Sequence, residues 1–83
     1  MKRVVYFTAS WCMPCKQFRP VLQEVTSQLG IPVEYVDVDA NPTKTQEFGV
    51  SSVPSMFLYN DNTILLRKSG AMSKDQLKSL LTN

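Results

Sequence analysis

The sequence feature that most restricts the fold is a change of apolar periodicity across two cysteines near the N-terminus. Residues 3–7 form a short β-branched and aromatic run, which predicts a buried strand. Over residues 13–29 the apolar residues instead recur at helical spacing and share one face, formed by Phe18, Val21, Leu22, Val25 and Leu29. Cys12 and Cys15 lie where the strand pattern gives way to the helical one. The sequence therefore predicts a strand–helix unit with both cysteines at the start of the helix.

The next segment predicts a second strand and a short second helix. Gly30 is placed to end the first helix in the left-handed conformation. Residues 33–38 carry apolar side chains on both parities, which we interpret as a central or near-central strand. Asn41 and Pro42 form an N-cap followed by proline at the first helical position, and Gly49 closes this helix.

The C-terminal third predicts a hairpin and a last helix. Residues 55–59 and 63–68 are the two strands, joined by a turn at 60–62. Ser73 and Gln76 form a capping box that begins the last helix, and its apolar residues are Leu77, Leu80 and Leu81. The predicted order β-α-β-α-β-β-α defines an α/β fold with a four-stranded mixed sheet and helices on both faces. The first two strands are expected to be parallel. At this length we expect residues 1–83 to form a single domain.

The residue counts exclude several kinds of chemistry. The chain has two cysteines and no histidine, so Ser-His-Asp and Cys-His catalysis are excluded. Two cysteines cannot complete a four-ligand zinc site within one chain, although a zinc site or a cluster shared between two copies stays an alternative. We therefore expect neither a metal nor a cofactor.

Charge and hydropathy point to a cytoplasmic domain. The net charge is +2 and the basic residues are scattered, so we expect no nucleic-acid partner. The apolar run at residues 4–7 is too short for a signal peptide, and no stretch approaches the roughly 18 apolar residues of a membrane span. We expect the cytoplasm, where a C-x-x-C pair is more often catalytic or metal-binding than structural.

The position of the cysteines predicts dithiol chemistry. Cys12 precedes the first turn of a helix, where unsatisfied N–H groups and the helix dipole stabilise a thiolate. We expect Cys12 to be the exposed nucleophile and Cys15 the buried thiol that resolves the mixed disulfide. Pro14 fits the first turn because its missing N–H is not needed there. Met13 is expected to tune the redox potential, and Lys16 to add to thiolate stabilisation.

Residues 11–16, W-C-M-P-C-K, are similar to the thioredoxin sequence W-C-G-P-C-K, with Met13 in place of glycine. The resemblance continues in order through F-R-P at 18–20, D-V-D-A-N-P at 37–42, G-V-S-S-V-P-S at 49–55 and G-A at 70–71. It spans nearly the whole chain and implies a minimal thioredoxin fold that reduces protein disulfides.

The resemblance also implies a substrate-binding surface around the cysteines. It implies a cis bond before Pro54, which would turn the backbone of Val53 toward the cysteine pair to receive an extended substrate. Trp11 lies at a loop-to-helix junction, and from this placement we expect it to act as a lid and contact surface for substrate beside Cys12. Gly70 would let the substrate approach.

Three departures from the family pattern bear on the mechanism. The chain begins where the family's second strand would, so we expect the family's N-terminal strand and helix to be missing. Tyr6 stands where the family carries a buried Asp that assists proton transfer at the second cysteine, and Tyr35 stands at its nearby buried Lys. Tyrosine, with an ordinary pKa near 10, is a poor base at neutral pH. We expect deprotonation of Cys15 to depend on water or on the leaving thiolate, and resolution to be slow.

The resulting hypothesis is a monomeric protein-disulfide reductase. Its expected partners are disulfide-containing proteins and a flavoprotein thioredoxin reductase, which we favour over glutathione as electron donor. A glutaredoxin-like electron donor, for example to ribonucleotide reductase, is an alternative. Glutaredoxins, however, typically carry C-P-Y-C, where residues 12–15 read C-M-P-C, and a later G-G-x-D-D, where residues 70–74 read G-A-M-S-K. A docking subunit that uses the fold without its cysteines is a second alternative, and an oxidase or isomerase is disfavoured by the expected lack of a signal peptide.

Overall fold

A computed structural model describes residues 1–82 and contains the seven elements in the order expected from the sequence. They are β1 (Lys2–Thr8), α1 (Met13–Leu29), β2 (Val33–Asp37), α2 (Pro42–Glu47), β3 (Ser55–Asn60), β4 (Thr63–Ser69) and α3 (Lys74–Thr82). The α/β class and the β-α-β-α-β-β-α order are confirmed.

The four strands form one mixed sheet in the order β2-β1-β3-β4. β1 is parallel to β2 and antiparallel to β3, and β3 and β4 form the hairpin. The prediction that residues 33–38 form a central or near-central strand is wrong, because within residues 1–82 β2 pairs with β1 alone and lies at the sheet edge. Apolar residues lie on both faces of β2 because helices pack above and below the sheet. An edge strand covered in this way needs apolar residues on both faces as much as a central strand does.

Alternate residues of β1 belong to two separate apolar clusters, one on each face of the sheet. Val4 and Tyr6 join the larger cluster, which the sheet forms with α1 and α3. Val5 and Phe7 join the smaller cluster, against which Phe48 packs beyond the end of α2. Helices therefore cover both faces, as predicted, and both inner strands, β1 and β3, contribute to the two clusters.

The ends of the helices follow local signals. Gly30 ends α1 with φ +67°, and its N–H donates to the carbonyl of Ser27 at 3.3 Å. The capping box forms: the Gln76 N–H donates to Ser73 Oγ at 3.2 Å and the Ser73 N–H donates to Gln76 Oε1 at 3.0 Å. Asn41 occupies the N-cap position of α2, but its side-chain amide donates backward to the carbonyl of Asp37 at 3.0 Å. Within residues 1–82 no helix is long and apolar enough to cross a membrane.

Candidate active site

The two cysteines lie in the first turn of α1 and form a disulfide, with a Cα–Cα distance of 5.3 Å. Cys12 is the N-cap residue, with extended backbone at φ −93° and ψ 104°. The backbone N–H of Cys15 donates to Cys12 Sγ at 3.2 Å, so the sulfur takes the place of the side-chain oxygen that usually caps a helix. Pro14 lies in the same turn, where its missing N–H costs nothing. An N–H donor and the positive end of the helix thus face the Cys12 sulfur.

The cysteines differ in burial less than expected from the sequence. Cys15 is 0% exposed, as predicted for the inner thiol. The expectation that Cys12 is exposed is wrong for this disulfide form, in which Cys12 is only 5% exposed. The reason is packing: the cysteines cluster with Ala9, and Val38 and Val53 cover them.

The loop before β3 approaches the disulfide through a cis peptide bond. The Val53–Pro54 bond is cis, as the resemblance implies. The carbonyl of Pro54 accepts a hydrogen bond of 2.8 Å from the N–H of Gly70, which adopts φ +87°. This bond places Gly70 beside the same loop. The structure therefore places Val53 against the cysteines and Gly70 beside Pro54, the next residue of the same loop.

Trp11 lies on the surface beside the cysteines. Its side chain is 65% exposed, and its indole Nε1–H donates to Asp39 Oδ2 at 2.8 Å. Trp11 and Val53 both line a groove of about 150 Å³, whose wall also includes Val38 and Val50. Sequence reasoning gave Asp39 no role, because nothing in the sequence pairs it with a residue 28 positions earlier.

Tyr6 lies on the buried side of Cys15. Its hydroxyl donates to the backbone carbonyl of Cys15 at 3.2 Å. Burial raises the pKa of Tyr6 to about 12, a shift that the charge of Arg19 opposes and that Tyr35 increases. The ring of Tyr35 meets that of Tyr6 edge-on at 5.9 Å, and the Arg19 guanidinium covers Tyr35 at 4.2 Å. Tyr6 therefore stays protonated at neutral pH and cannot act as a base.

The remaining residues singled out in the sequence lie on the exposed surface of the first turn. Met13 is 59% exposed and follows Cys12 directly. The Lys16 side chain is exposed, as predicted, and the backbone N–H of Lys16 donates to the Cys12 carbonyl at 3.2 Å. Both side chains are thus available to an approaching partner.

Comparisons with known proteins agree with this site. The family model described as Thioredoxin matches residues 1–83. The thioredoxin of Chlamydia muridarum is 38% identical over 80 residues, which cover 95% of this chain and 78% of that protein. The thioredoxin of Mycolicibacterium smegmatis is 41% identical over 78 residues, which cover 89% of this chain and 70% of that protein.

Solved structures give the same result. A thioredoxin-2 described as a component of the malaria parasite protein secretion machinery superposes with a TM-score of 0.92 at 30% identity, covering 99% of this chain and 82% of that one. A mutant thioredoxin from Halobacterium salinarum superposes with a TM-score of 0.90 at 31% identity, covering 96% and 71%. The chain therefore belongs to the thioredoxin family and reduces protein disulfides through the redox-active pair Cys12 and Cys15.

Proposed function

We propose that Cys12 is the nucleophile and Cys15 the resolving thiol of a monomeric reductase that forms a single domain over residues 1–83. The observation that carries this assignment is the asymmetry of the first turn of α1. Cys12 sits at the N-cap, where the Cys15 N–H points at its sulfur from 3.2 Å. A thiolate at that position gains a charge-assisted hydrogen bond and the favourable end of the helix dipole. Cys15, which is fully buried, has the environment of the second thiol.

The reaction then runs in two exchanges. The Cys12 thiolate attacks one sulfur of the substrate disulfide, whose S–S bond breaks, and the other substrate sulfur leaves with the electron pair and takes a proton from water. Cys15 loses its proton and attacks the Cys12 sulfur of the mixed disulfide. The bond from Cys12 to the substrate breaks, and the second substrate sulfur leaves with its electron pair. Two electrons pass to the substrate, and the Cys12–Cys15 disulfide remains.

The substrate is proposed to bind as an extended segment across Trp11, Val53, Pro54 and Gly70. The groove between Trp11 and Val53 supports this role, because it lies beside the disulfide and is lined mainly by apolar and small hydroxyl side chains. Backbone pairing with Val53 would give affinity without demanding one substrate sequence.

The residues around the nucleophile are proposed to tune it. Met13 and Pro14 are exposed beside Cys12, where they can alter partner docking and redox potential. Lys16 adds positive charge one residue after Cys15. Tyr6 is proposed to fix the backbone of Cys15 rather than to move its proton.

A reductase must return two electrons to the oxidised pair, and we propose a flavoprotein thioredoxin reductase for this step. Glutathione is disfavoured because residues 70–74 lack the G-G-x-D-D pattern typical of glutaredoxins. We place the reaction in the cytoplasm, where a dithiol can be kept reduced.

The assignment is tested by reducing a disulfide-bonded protein with the wild type, Cys12→Ser and Cys15→Ser. We expect Cys12→Ser to be inactive and Cys15→Ser to accumulate a mixed disulfide with the substrate, seen by mass spectrometry. A mixed disulfide trapped on Cys15 instead, in Cys12→Ser, would reverse the assignment. The donor is tested by supplying electrons to the wild type from a flavoprotein reductase or from glutathione, and faster turnover with glutathione would contradict that part.

A further inference from the structure

A second cavity, separate from the groove at Trp11, includes Cys15 in its wall. Its volume is about 210 Å³, and its wall includes Cys15, Thr8, Lys16, Arg19 and Asp37. A water molecule occupies about 30 Å³ in the liquid, so the cavity has room for several waters. It therefore provides room for water along the wall to which Cys15 contributes, although Cys15 is 0% exposed in this disulfide form.

Asp37 is the anionic residue of this wall. It is the last residue of β2, lies opposite Thr8 in the parallel pair, and is half-buried. Its Oδ1 accepts hydrogen bonds from the backbone N–H groups of Asp39 at 2.8 Å and Ala40 at 3.2 Å. Both bonds end on Oδ1, which leaves Oδ2 able to accept a hydrogen bond from water. The turn thus holds the carboxylate in place at the cavity wall.

The other titratable groups around this region are two cations, two phenols and a carboxylate that already accepts a hydrogen bond from Trp11. Lys16 and Arg19, the cations that α1 contributes to the same wall, carry donors and no acceptor. Tyr6 on β1 keeps its proton, because burial raises its pKa to about 12 and its hydroxyl donates to the Cys15 carbonyl. Tyr35 on β2 is a phenol covered by the Arg19 guanidinium. The carboxylate of Asp39, two residues on, is held by the indole of Trp11.

We propose that Asp37 accepts the proton of Cys15, through water in this cavity, when Cys15 resolves the mixed disulfide. The proton passes from the Cys15 thiol to the carboxylate, and the thiolate attacks the Cys12 sulfur. The bond between Cys12 and the substrate sulfur breaks, and its electron pair leaves with the substrate thiolate. Asp37 then returns the proton to solvent. The proposal rests on the assignment of Cys15 as the resolving thiol.

The experiment separates the two exchanges in time. Reduced protein is mixed with dithionitrobenzoate, a symmetric aromatic disulfide whose thiolate product is coloured. Attack by Cys12 releases the first equivalent, and resolution by Cys15 releases the second. We compare the wild type with Asp37→Asn, which keeps an oxygen for the Asp39 and Ala40 N–H groups and removes the charge. The control is Glu34→Gln, which removes an exposed negative charge from the same strand.

We expect Asp37→Asn to slow the second phase by about 100-fold at neutral pH, the lower end of what a positioned proton acceptor contributes, and to leave the first phase unchanged. The two proteins should converge at alkaline pH, where Cys15 loses its proton to hydroxide. Added formate should accelerate the second phase of the variant by entering the cavity. Glu34→Gln should match the wild type.

An unchanged rate of the second phase in Asp37→Asn would overturn the proposal. A slowing of equal size at every pH would also overturn it, because a structural role of Asp37 would produce that result. Cys15→Ser in the same assay separates this failure from that of the proposed function. If Cys15→Ser stops after one equivalent while Asp37→Asn resolves normally, the proton acceptor alone is misassigned. If Cys15→Ser releases both equivalents, Cys15 is not the resolving thiol.

Discussion

The hydroxyl of Tyr6 donates a hydrogen bond of 3.2 Å to the backbone carbonyl of Cys15, from the buried side of the helix turn that carries both cysteines. The ring of Tyr6 is fully buried and packs against Phe18 at 6.1 Å between centroids. A phenol therefore fills the position from which a carboxylate could reach Cys15. It supports the turn by packing and hydrogen bonding, and it leaves proton transfer to other groups.

Replacing Tyr6 by Asp should restore a buried acceptor next to Cys15. We expect the second phase of dithionitrobenzoate reduction to accelerate about 10-fold or more, because a nearby carboxylate removes the proton directly. The variant should also lose about 3–5 kcal/mol of stability, since a buried aromatic side chain is removed. Rates are compared over a pH series under conditions where the variant is folded by circular dichroism. Tyr6→Phe is the control and should not accelerate. If Tyr6→Asp leaves both the rate and its pH profile unchanged, proton transfer does not limit resolution.

The stability of the fold should fall at alkaline pH through Tyr6. Its pKa is raised by burial to about 12 in the folded protein and is near 10 in an unfolded chain. The unfolded chain loses this proton first, so stability is fully present below pH 10 and declines as the pH rises toward 12. We expect the difference in unfolding free energy between the wild type and Tyr6→Phe to shrink by about 2–3 kcal/mol over that interval. Urea unfolding at each pH measures this difference, and parallel curves would contradict it.

The bond between Trp11 and Asp39 should orient the indole for substrate. Asp39→Ala removes the acceptor for Nε1, so we expect the indole to move more freely and KM for a protein disulfide to rise several-fold. Stability should change by about 1 kcal/mol or less, because the bond is exposed. Trp11 is the one tryptophan of the chain, so its fluorescence anisotropy reports the motion directly. Asp39→Asn, which keeps an acceptor oxygen, should resemble the wild type. Asp75 is an exposed carboxylate on α3. If Asp39→Ala and Asp75→Ala raise KM equally, the effect is one of general charge and not of the bond to Trp11.

Gly30 should contribute to the stability of the fold through its left-handed backbone conformation alone. It ends α1 at φ +67°, and apart from Gly30 itself, its chain neighbours and the adjacent helix backbone, no atom of residues 1–82 lies within 4 Å of the position that a Cβ would take. Gly30→Ala should therefore cost about 1–2 kcal/mol through the left-handed backbone, without a steric clash. Gly30→Asn should cost less, since asparagine tolerates this conformation better. Chemical denaturation measures both. Because Gly30 lies at the opposite end of the helix from Cys12, the rates of both exchanges should stay at the wild-type level, and a loss of rate would contradict this separation.

The helices could be predicted because their signals are local. The helical spacing from Phe18 to Leu29 and the pair Ser73–Gln76 act within a few residues of one another, and the structure places both as expected. The position of β2 could not be predicted in the same way. An apolar residue such as Val36 indicates that a helix or loop covers the strand, and it carries no information on how many strands lie beside it.

The candidate site was predictable in its chemistry and less so in its contacts. The helix start and the C-x-x-C spacing predict that Cys12 and Cys15 share one helical turn, and the two residues do lie in one turn. The low exposure of Cys12 depends on Val38 and Val53, which reach it from other parts of the chain. The cavity at Asp37 likewise exists only once β1, β2 and α1 are packed together. Such contacts arise from tertiary geometry, which residue spacing does not encode.

The position of β1 between β2 and β3 also determines which part of the site persists when the protein fluctuates. Both edges of β1 are hydrogen-bonded, so its amides should exchange with solvent deuterium only during global unfolding, whereas β2 can open locally. The segment that ends in Cys12 leaves directly from β1. The nucleophile is thus attached to one of the two inner strands, β1 and β3, whose amides should exchange slowest, while Asp37 lies on the outer strand β2, which can open without displacing Cys12.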